Sequence, residues 1–234
     1  SDPGLLDRPE DVAVAPDGTI VVADSRNHRI QRLTLSGEVV AVIGGYGTEP
    51  SYLSGPQAVD VDAGGDVLVA DTFNHRVQRC GPTGRCLGAW AALGSEPGLL
   101  NGPVGIAVAP DGSVWVSDSA NQRVQRFAAG GDLMGAWGTA DASQGQFEDP
   151  ADLAVAGDGS LFVVDRVLDR VQRFGADGLY VDTWGFSGGA PGQLLAPQGV
   201  AADSDTVYVS DSGNHRIQAF DLAGTLRQTW GAGG

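Results

Sequence analysis

The chain has no lysine. All 14 of its basic residues are arginine, set against 29 aspartates and glutamates, for a net charge of −15 over 234 residues. A surface of that sign repels phosphate backbones and argues against nucleic acid as a partner, because such binding draws its affinity from a basic field. Cysteine is nearly absent, with two copies, and histidine occurs only three times, so no four-ligand cluster of these residues can be read for zinc. Apolar runs never exceed strand length, which leaves no helical membrane span and no signal segment; membrane insertion is not expected, although a trimmed chain would lack its signal as well. Helix-length periodic segments, nucleophile-elbow motifs and phosphate loops are likewise missing.

What is present is repetition. One phrase occurs five times, starting at Asp24, Asp71, Asp118, Asp165 and Asp211 and ending at Gln31, Gln78, Gln125, Gln172 and Gln218. Its aspartates are 47, 47, 47 and 46 residues apart, so the chain is an array of one supersecondary unit. Each unit opens on a proline (Pro9, Pro56, Pro103, Pro150, Pro197) and a short β-rich run. A turn such as Pro16-Asp-Gly18 leads into a Val-rich run that ends on the repeated Asp. A third run carries Arg-Ile/Val-Gln, and a fourth ends at Ile43, Trp90, Trp137, Trp184 or Trp230. Four short strands per unit without helices is the arithmetic of a propeller blade. The expected fold is therefore all-β, a propeller of five four-stranded blades in one domain spanning 1–234, with repeats at about 4–52, 53–98, 99–146, 147–193 and 194–234.

The phrase Asp-Ser-x-Asn-His-Arg-Ile-Gln, preceded by Pro-x-x-Val-Ala-Val and Asp-Gly, resembles the NHL repeat over essentially the whole chain. The resemblance implies a β-propeller, commonly of six blades, used to bind proteins, RNA or other ligands and less often as a lyase. Five units depart from the commonest number. Joining the end, Trp230-Gly-Ala-Gly-Gly234, to the start, Ser1-Asp-Pro-Gly-Leu-Leu6, gives a segment like the internal one from Trp90 to Leu100. This suits a closed ring, which is the expectation here, and equally a piece of a longer array.

Residues that recur in every unit read as structural. The repeated Asp closes one strand and the repeated Arg (Arg29, Arg76, Arg123, Arg170, Arg216) opens the next, so the two can pair and satisfy backbone groups. His28, His75 and His215 occupy one repeat position, where other units carry Gln122 and Asp169, and so spread around a rim instead of converging on zinc. Departures from the repeat are the candidates for use. Unit four reads Asp165-Arg166-Val167-Leu168-Asp169-Arg170, an apolar pair and an extra arginine on a loop that is polar elsewhere, and the blade connections add Tyr46, Tyr52 and Phe186. These seven positions, Arg166 to Asp169 and the three aromatics, are the expected partner-binding residues. Asp11, Asp60 and Asp152 replace Gly or Ala on the axial strands; no cofactor is required, but calcium is the ion such oxygen ligands would take. Cys80 and Cys86 replace both members of an apolar pair across the third turn of unit two and are expected to form a disulfide, favouring an extracytoplasmic or secreted protein.

The function expected is thus a non-catalytic, protein-binding or scaffold module that takes a protein or small ligand on one face. The alternative is a metal-assisted lyase or hydrolase at the central channel. The discriminating feature is convergence of unlike polar residues at the channel mouth.

Overall fold

The computed structural model describes residues 2–138 and 144–231. Ser1 and residues 232–234, which enter the ring-closure reading, lie outside the described residues. Twenty strands form five separate four-stranded sheets, each antiparallel and each in simple sequence order. The fold is a five-bladed β-propeller. The first strands of the blades are Pro9–Val14, Ala58–Val61, Pro103–Val108, Pro150–Val155 and Gly199–Ala202, and they pack side by side along the axis in sequence order. The fourth strands, Val39–Gly44, Cys86–Trp90, Leu133–Trp137, Tyr180–Trp184 and Leu226–Trp230, lie at the outer edge of each sheet.

The repeated phrase is the wiring that holds each blade together. Asp118 is fully buried at the end of a second strand, opposite Arg123 in the register. Its Oδ2 accepts from Arg123 Nε at 2.7 Å, from Asn121 at 2.9 Å and from Gln125 at 3.1 Å, while Oδ1 takes the Asn101 N–H at 2.6 Å. The two guanidinium NH groups of Arg123 then donate to the Ser95, Glu96 and Leu99 carbonyls of the connection leading into the blade. A buried carboxylate is tolerated because both oxygens are hydrogen-bonded and one of the donors is a guanidinium. Blades one, two and five repeat the arrangement around Asp24, Asp71 and Asp211, with Asp–Arg distances of 2.6 to 2.8 Å. In those three blades and in blade three, a single 3-10 turn follows the Asp and ends on a left-handed residue: His28, His75, Gln122 or His215. Blade four has Leu168 where the others have the Asn that donates to the Asp; its turn is not a 3-10 turn, and the Arg170–Asp165 pair is longer, at 3.8 Å.

The cores lie between blades. Among the described residues there are four buried hydrophobic clusters: one joins blades one and two, one joins two and three, one joins three and four, and one joins four and five. This corrects the expectation of a closed ring. No equivalent packing links the first strand of blade five to that of blade one. Val14, at the first-strand position held by Val61, Val108, Val155 and Ala202, is 70% exposed, and Ile217, whose counterparts Ile30, Val77, Val124 and Val171 are wholly buried, is 46% exposed. The likeness of the joined termini to an internal connection concerns local sequence only, and it does not bring the two end blades into register.

The Cys80–Cys86 disulfide forms as expected. The two residues face each other in the register of the third and fourth strands of blade two. No helix among the described residues is long and apolar enough to cross a membrane.

Candidate functional site at the channel mouth

One rim of the propeller carries both the 3-10 turns and the blade connections, because second strands end there and fourth strands leave there. At the centre of this rim a cavity of about 650 Å3 is lined by side chains from all five blades. Blade one supplies Glu10 and Asp11, blade two Gln57, Phe73 and His75, blade three Ser119, blade four Asp149, Asp152 and Arg166, and blade five Gln198 and Ser210.

The axial acids stand where the sequence places them, and each does a structural task. Asp11 Oδ2 accepts the Val59 N–H, Asp60 Oδ2 the Val108 N–H and Asp152 Oδ2 the Val200 N–H, all at 2.8 Å, so each carboxylate ties its blade to the next. Small residues make room for this: a Cβ on Gly105 would sit 3.0 Å from Asp152 Cα, and one on Gly199 would sit 3.6 Å from Asp152 Oδ2. Burial pushes the Asp11 carboxyl up to about 6 and the Asp152 carboxyl up to about 7, the latter with added repulsion from Asp11 and Asp60; burial raises Asp60 as well. Among the described residues, no group of three His, Cys, Asp or Glu side chains is placed to hold a metal ion. The calcium expectation for Asp11, Asp60 and Asp152 therefore finds no ligand set here.

The histidines are latches between blades. His28 Nδ1 accepts the Gly55 N–H at 2.9 Å and His75 Nδ1 the Gly102 N–H at 3.0 Å, and Asp169 does the same for Ala196 at 2.7 Å. The residue after the repeated Asp is a second latch: Ser25, Thr72 and Ser119 each donate to the opening proline carbonyl of the following blade, Pro56, Pro103 and Pro150. Arg166 occupies that position in blade four. It instead turns to Asp149, donating through Nε at 2.8 Å and through NH2 at 2.6 Å, and its exposed guanidinium lines the cavity. The structure thus separates the candidate residues. Arg166 stands at the channel mouth; Val167 is exposed on the same loop, and the Leu168 N–H caps Asp165. Tyr46, Tyr52 and Phe186 are exposed on connections farther out, with Tyr46 against the His28 ring at 4.8 Å between centroids.

Four lining residues escape a reading based on the repeat alone. Phe73 is the one aromatic at the variable position of the phrase, where the other units have Arg26, Ala120, Val167 and Gly213, and it is exposed at the cavity edge. Asp149 replaces Gly55 and Gly102 of units two and three, which was a visible departure in the same unit as Arg166. Glu10 and Gln198 follow the opening prolines, a position that holds Gln57, Val104 and Ala151 in the other units and so has no common residue to depart from.

The NHL repeat family matches residues 6–33, 53–80, 100–127 and 194–220. The chain is an NHL-repeat β-propeller. The unmatched unit of this NHL propeller is the fourth, the one that carries Arg166 and Leu168. No curated protein matches the sequence. Among solved structures, the chain is similar to catalytically inactive H270A virginiamycin B lyase from Staphylococcus aureus with quinupristin, at 17% identity and a TM-score of 0.72 over 95% of this chain and 71% of that one. It is also similar to a chain of a nidogen/laminin complex (18% identity, TM-score 0.73, 95% and 79% covered). A third is the Xanthomonas campestris gluconolactonase XC5397 (19%, 0.70, 95% and 75%). At these identities the likeness is one of fold, and the fold carries both enzymes and a protein-binding complex.

Proposed function

We propose that this NHL propeller is a non-catalytic recognition module whose specificity pocket is the channel mouth, and that the pocket takes a cationic group carried by a protein or small ligand. The observation that supports this is the convergence of Glu10, Asp11, Asp149 and Asp152 with Phe73, Gln57 and Gln198 around one cavity, in a chain of net charge −15. Carboxylates attract an ammonium or guanidinium group from a distance, the exposed Phe73 ring offers it a face, and the amides supply directional hydrogen bonds. Arg166, held on Asp149, covers part of the acid set, so a ligand cation would compete with it for that carboxylate. The outer aromatics Tyr46, Tyr52 and Phe186 and the Val167 loop surround this pocket on the same rim and suit contact with a larger partner. The disulfide fits an extracytoplasmic or secreted setting for such a module.

Convergence of unlike polar groups at a channel is also what an enzyme needs. Metal-assisted chemistry, however, has no donor set among the described residues, and the axial carboxylates are engaged on backbone N–H groups.

The test compares wild type with two variants against arginine, spermidine and citrate, read by calorimetric titration. Spermidine and arginine should bind and citrate should not. Arg166→Ser combined with Leu168→Asn should change cation affinity while leaving the melting temperature nearly unaltered. Asp118→Ala should do the reverse, costing about 3–5 kcal/mol of stability because it strands a buried arginine. Binding of citrate alone, or loss of cation binding in a still stable Asp118→Ala variant, would refute the assignment.

A further inference from the structure

Exposed aromatic side chains are unevenly placed around the rim. Tyr46 (75% exposed), Tyr52 (50%) and Phe73 (63%) all belong to the junction of blades one and two, the first two on the connection and the third on the turn of blade two. The fold itself does not require these rings, because the connection and turn of blade five carry Ser187, Gln193 and Gly213 at the same three positions. Apolar surface that is exposed where the repeat elsewhere supplies small or polar residues marks a contact.

The three rings form one track whose inner end is the channel-mouth cavity. Phe73 lines the cavity and lies against Gly55, where an added Cβ would sit 2.5 Å from its ring. Gly55 in turn donates its N–H to His28 Nδ1, and the His28 ring packs on Tyr46 at 4.8 Å between centroids. Tyr52 completes the outer part, since Cβ atoms built on Gly45 and Gly47 would lie 3.7 and 3.0 Å from its side chain. Glycine thus flanks every ring of the track and leaves the ring faces open. With Nδ1 used as an acceptor, the neutral His28 imidazole carries its proton on Nε2, a donor beside the rings.

We infer that this track is the docking groove for an extended, proline-containing peptide whose arginine or lysine enters the channel mouth. The inference rests on the cation-binding reading above and adds to it the class of partner that carries the cation. A polyproline II segment suits the track because its rings stack on aromatic faces and its carbonyls, which have no internal partner, accept from the tyrosine hydroxyls and from His28 Nε2. Such a segment is also ordered before it binds, so little entropy is lost. Charge complementarity selects it over a neutral sugar, which an aromatic track would also suit: Glu10, Asp11 and Asp149 stand at the inner end and reward a positive charge that the sugar lacks.

Calorimetric titration of the chain tests this with five probes: N-acetylarginine amide, a peptide of one arginine followed by five prolines, the reverse sequence, hexaproline and cellohexaose. One of the two arginine-containing peptides should bind at least about tenfold more tightly than N-acetylarginine amide, the gain expected of two ring contacts. Tyr46→Ser combined with Tyr52→Gln, which installs the residues that the connection of blade five already carries, should remove that gain at an unchanged melting temperature. Leu93→Ser, at an exposed apolar site one connection away, should retain it. Peptides that bind no more tightly than N-acetylarginine amide, or a gain that survives the double tyrosine variant, would overturn the groove and leave the cation pocket standing. Hexaproline binding as tightly as the arginine peptides would overturn both, because the cation would then contribute nothing. Tyrosine-dependent binding of cellohexaose would overturn the peptide assignment in favour of a sugar.

Discussion

A carboxylate in this protein behaves according to what its burial is spent on. Asp24, at 0% exposure, is lowered in pKa despite a burial effect that alone would raise it, because the Asp7 N–H, Arg29, Asn27 and Gln31 more than offset that effect. Asp11 and Asp152 have backbone donors but no cation, and burial wins. The sign of the consequence follows. A carboxyl raised in the folded state is protonated there while the unfolded chain, near 4, is already ionised. The folded state therefore binds more protons between about pH 4 and 7, and stability falls as pH rises through that window. Asp152→Asn keeps an oxygen for the Val200 N–H and removes the charge. It should raise the melting temperature by several degrees at pH 8 and change it little at pH 4. Thermal melts of both proteins at the two pH values check this, and a loss of stability at pH 8 would show that the ionised form is needed. The Asp–Arg pairing was legible from recurrence alone. The axial pKa shifts were not, since they depend on how deeply first strands from different blades bury one another.

At the scale of one element, the third and fourth strands of blade two are the clearest case of sequence read directly as contact. Cys80 and Cys86 stand where the other blades pair Leu33 with Val39, Phe127 with Leu133, Phe174 with Tyr180 and Phe220 with Leu226, and the register confirms each pair. The bridge closes a small loop, so its entropic contribution is about 2 kcal/mol. Replacing both cysteines by serine should cost that much, plus the loss of apolar burial at Cys80, which is fully buried. Denaturant unfolding of the double variant against wild type measures it, and an unchanged midpoint would mean that the loop is already fixed by its turn. The fourth-blade loop shows the opposite situation. Its departure was visible as Arg166 and Leu168, yet the side-chain direction was not. Only the pairing with Asp149, 17 residues earlier in the chain, turns Arg166 toward the channel.

Across the whole molecule, stability in a repeat array is a sum of blades and of interfaces between neighbours. Blades two, three and four have two buried interfaces each, whereas one and five have one. Local opening should therefore begin at the ends. Native-state hydrogen exchange should find the strand amides of Ile20–Asp24 and Arg216–Asp221 exchanging faster than those of Val114–Asp118, by at least tenfold. Equal protection throughout would show that blade one and blade five are braced against each other in solution after all.

The repeat period, the strand count, the hairpin pairings, the Asp–Arg–Gln wiring and the disulfide were all determined by sequence, because each is a contact within one unit or between adjacent units. For those, spacing of about 47 residues is equivalent to position in space. Closure of the ring and the composition of the channel-mouth pocket were decided only by the tertiary structure. Both depend on the angle between blades accumulated over five interfaces, an angle set by how Val, Trp and Phe side chains fill each interface, and no local pattern records that sum. The same accumulation brings Glu10 of the first blade and Gln198 of the last to one cavity, yet leaves Val14 and Ile217 exposed.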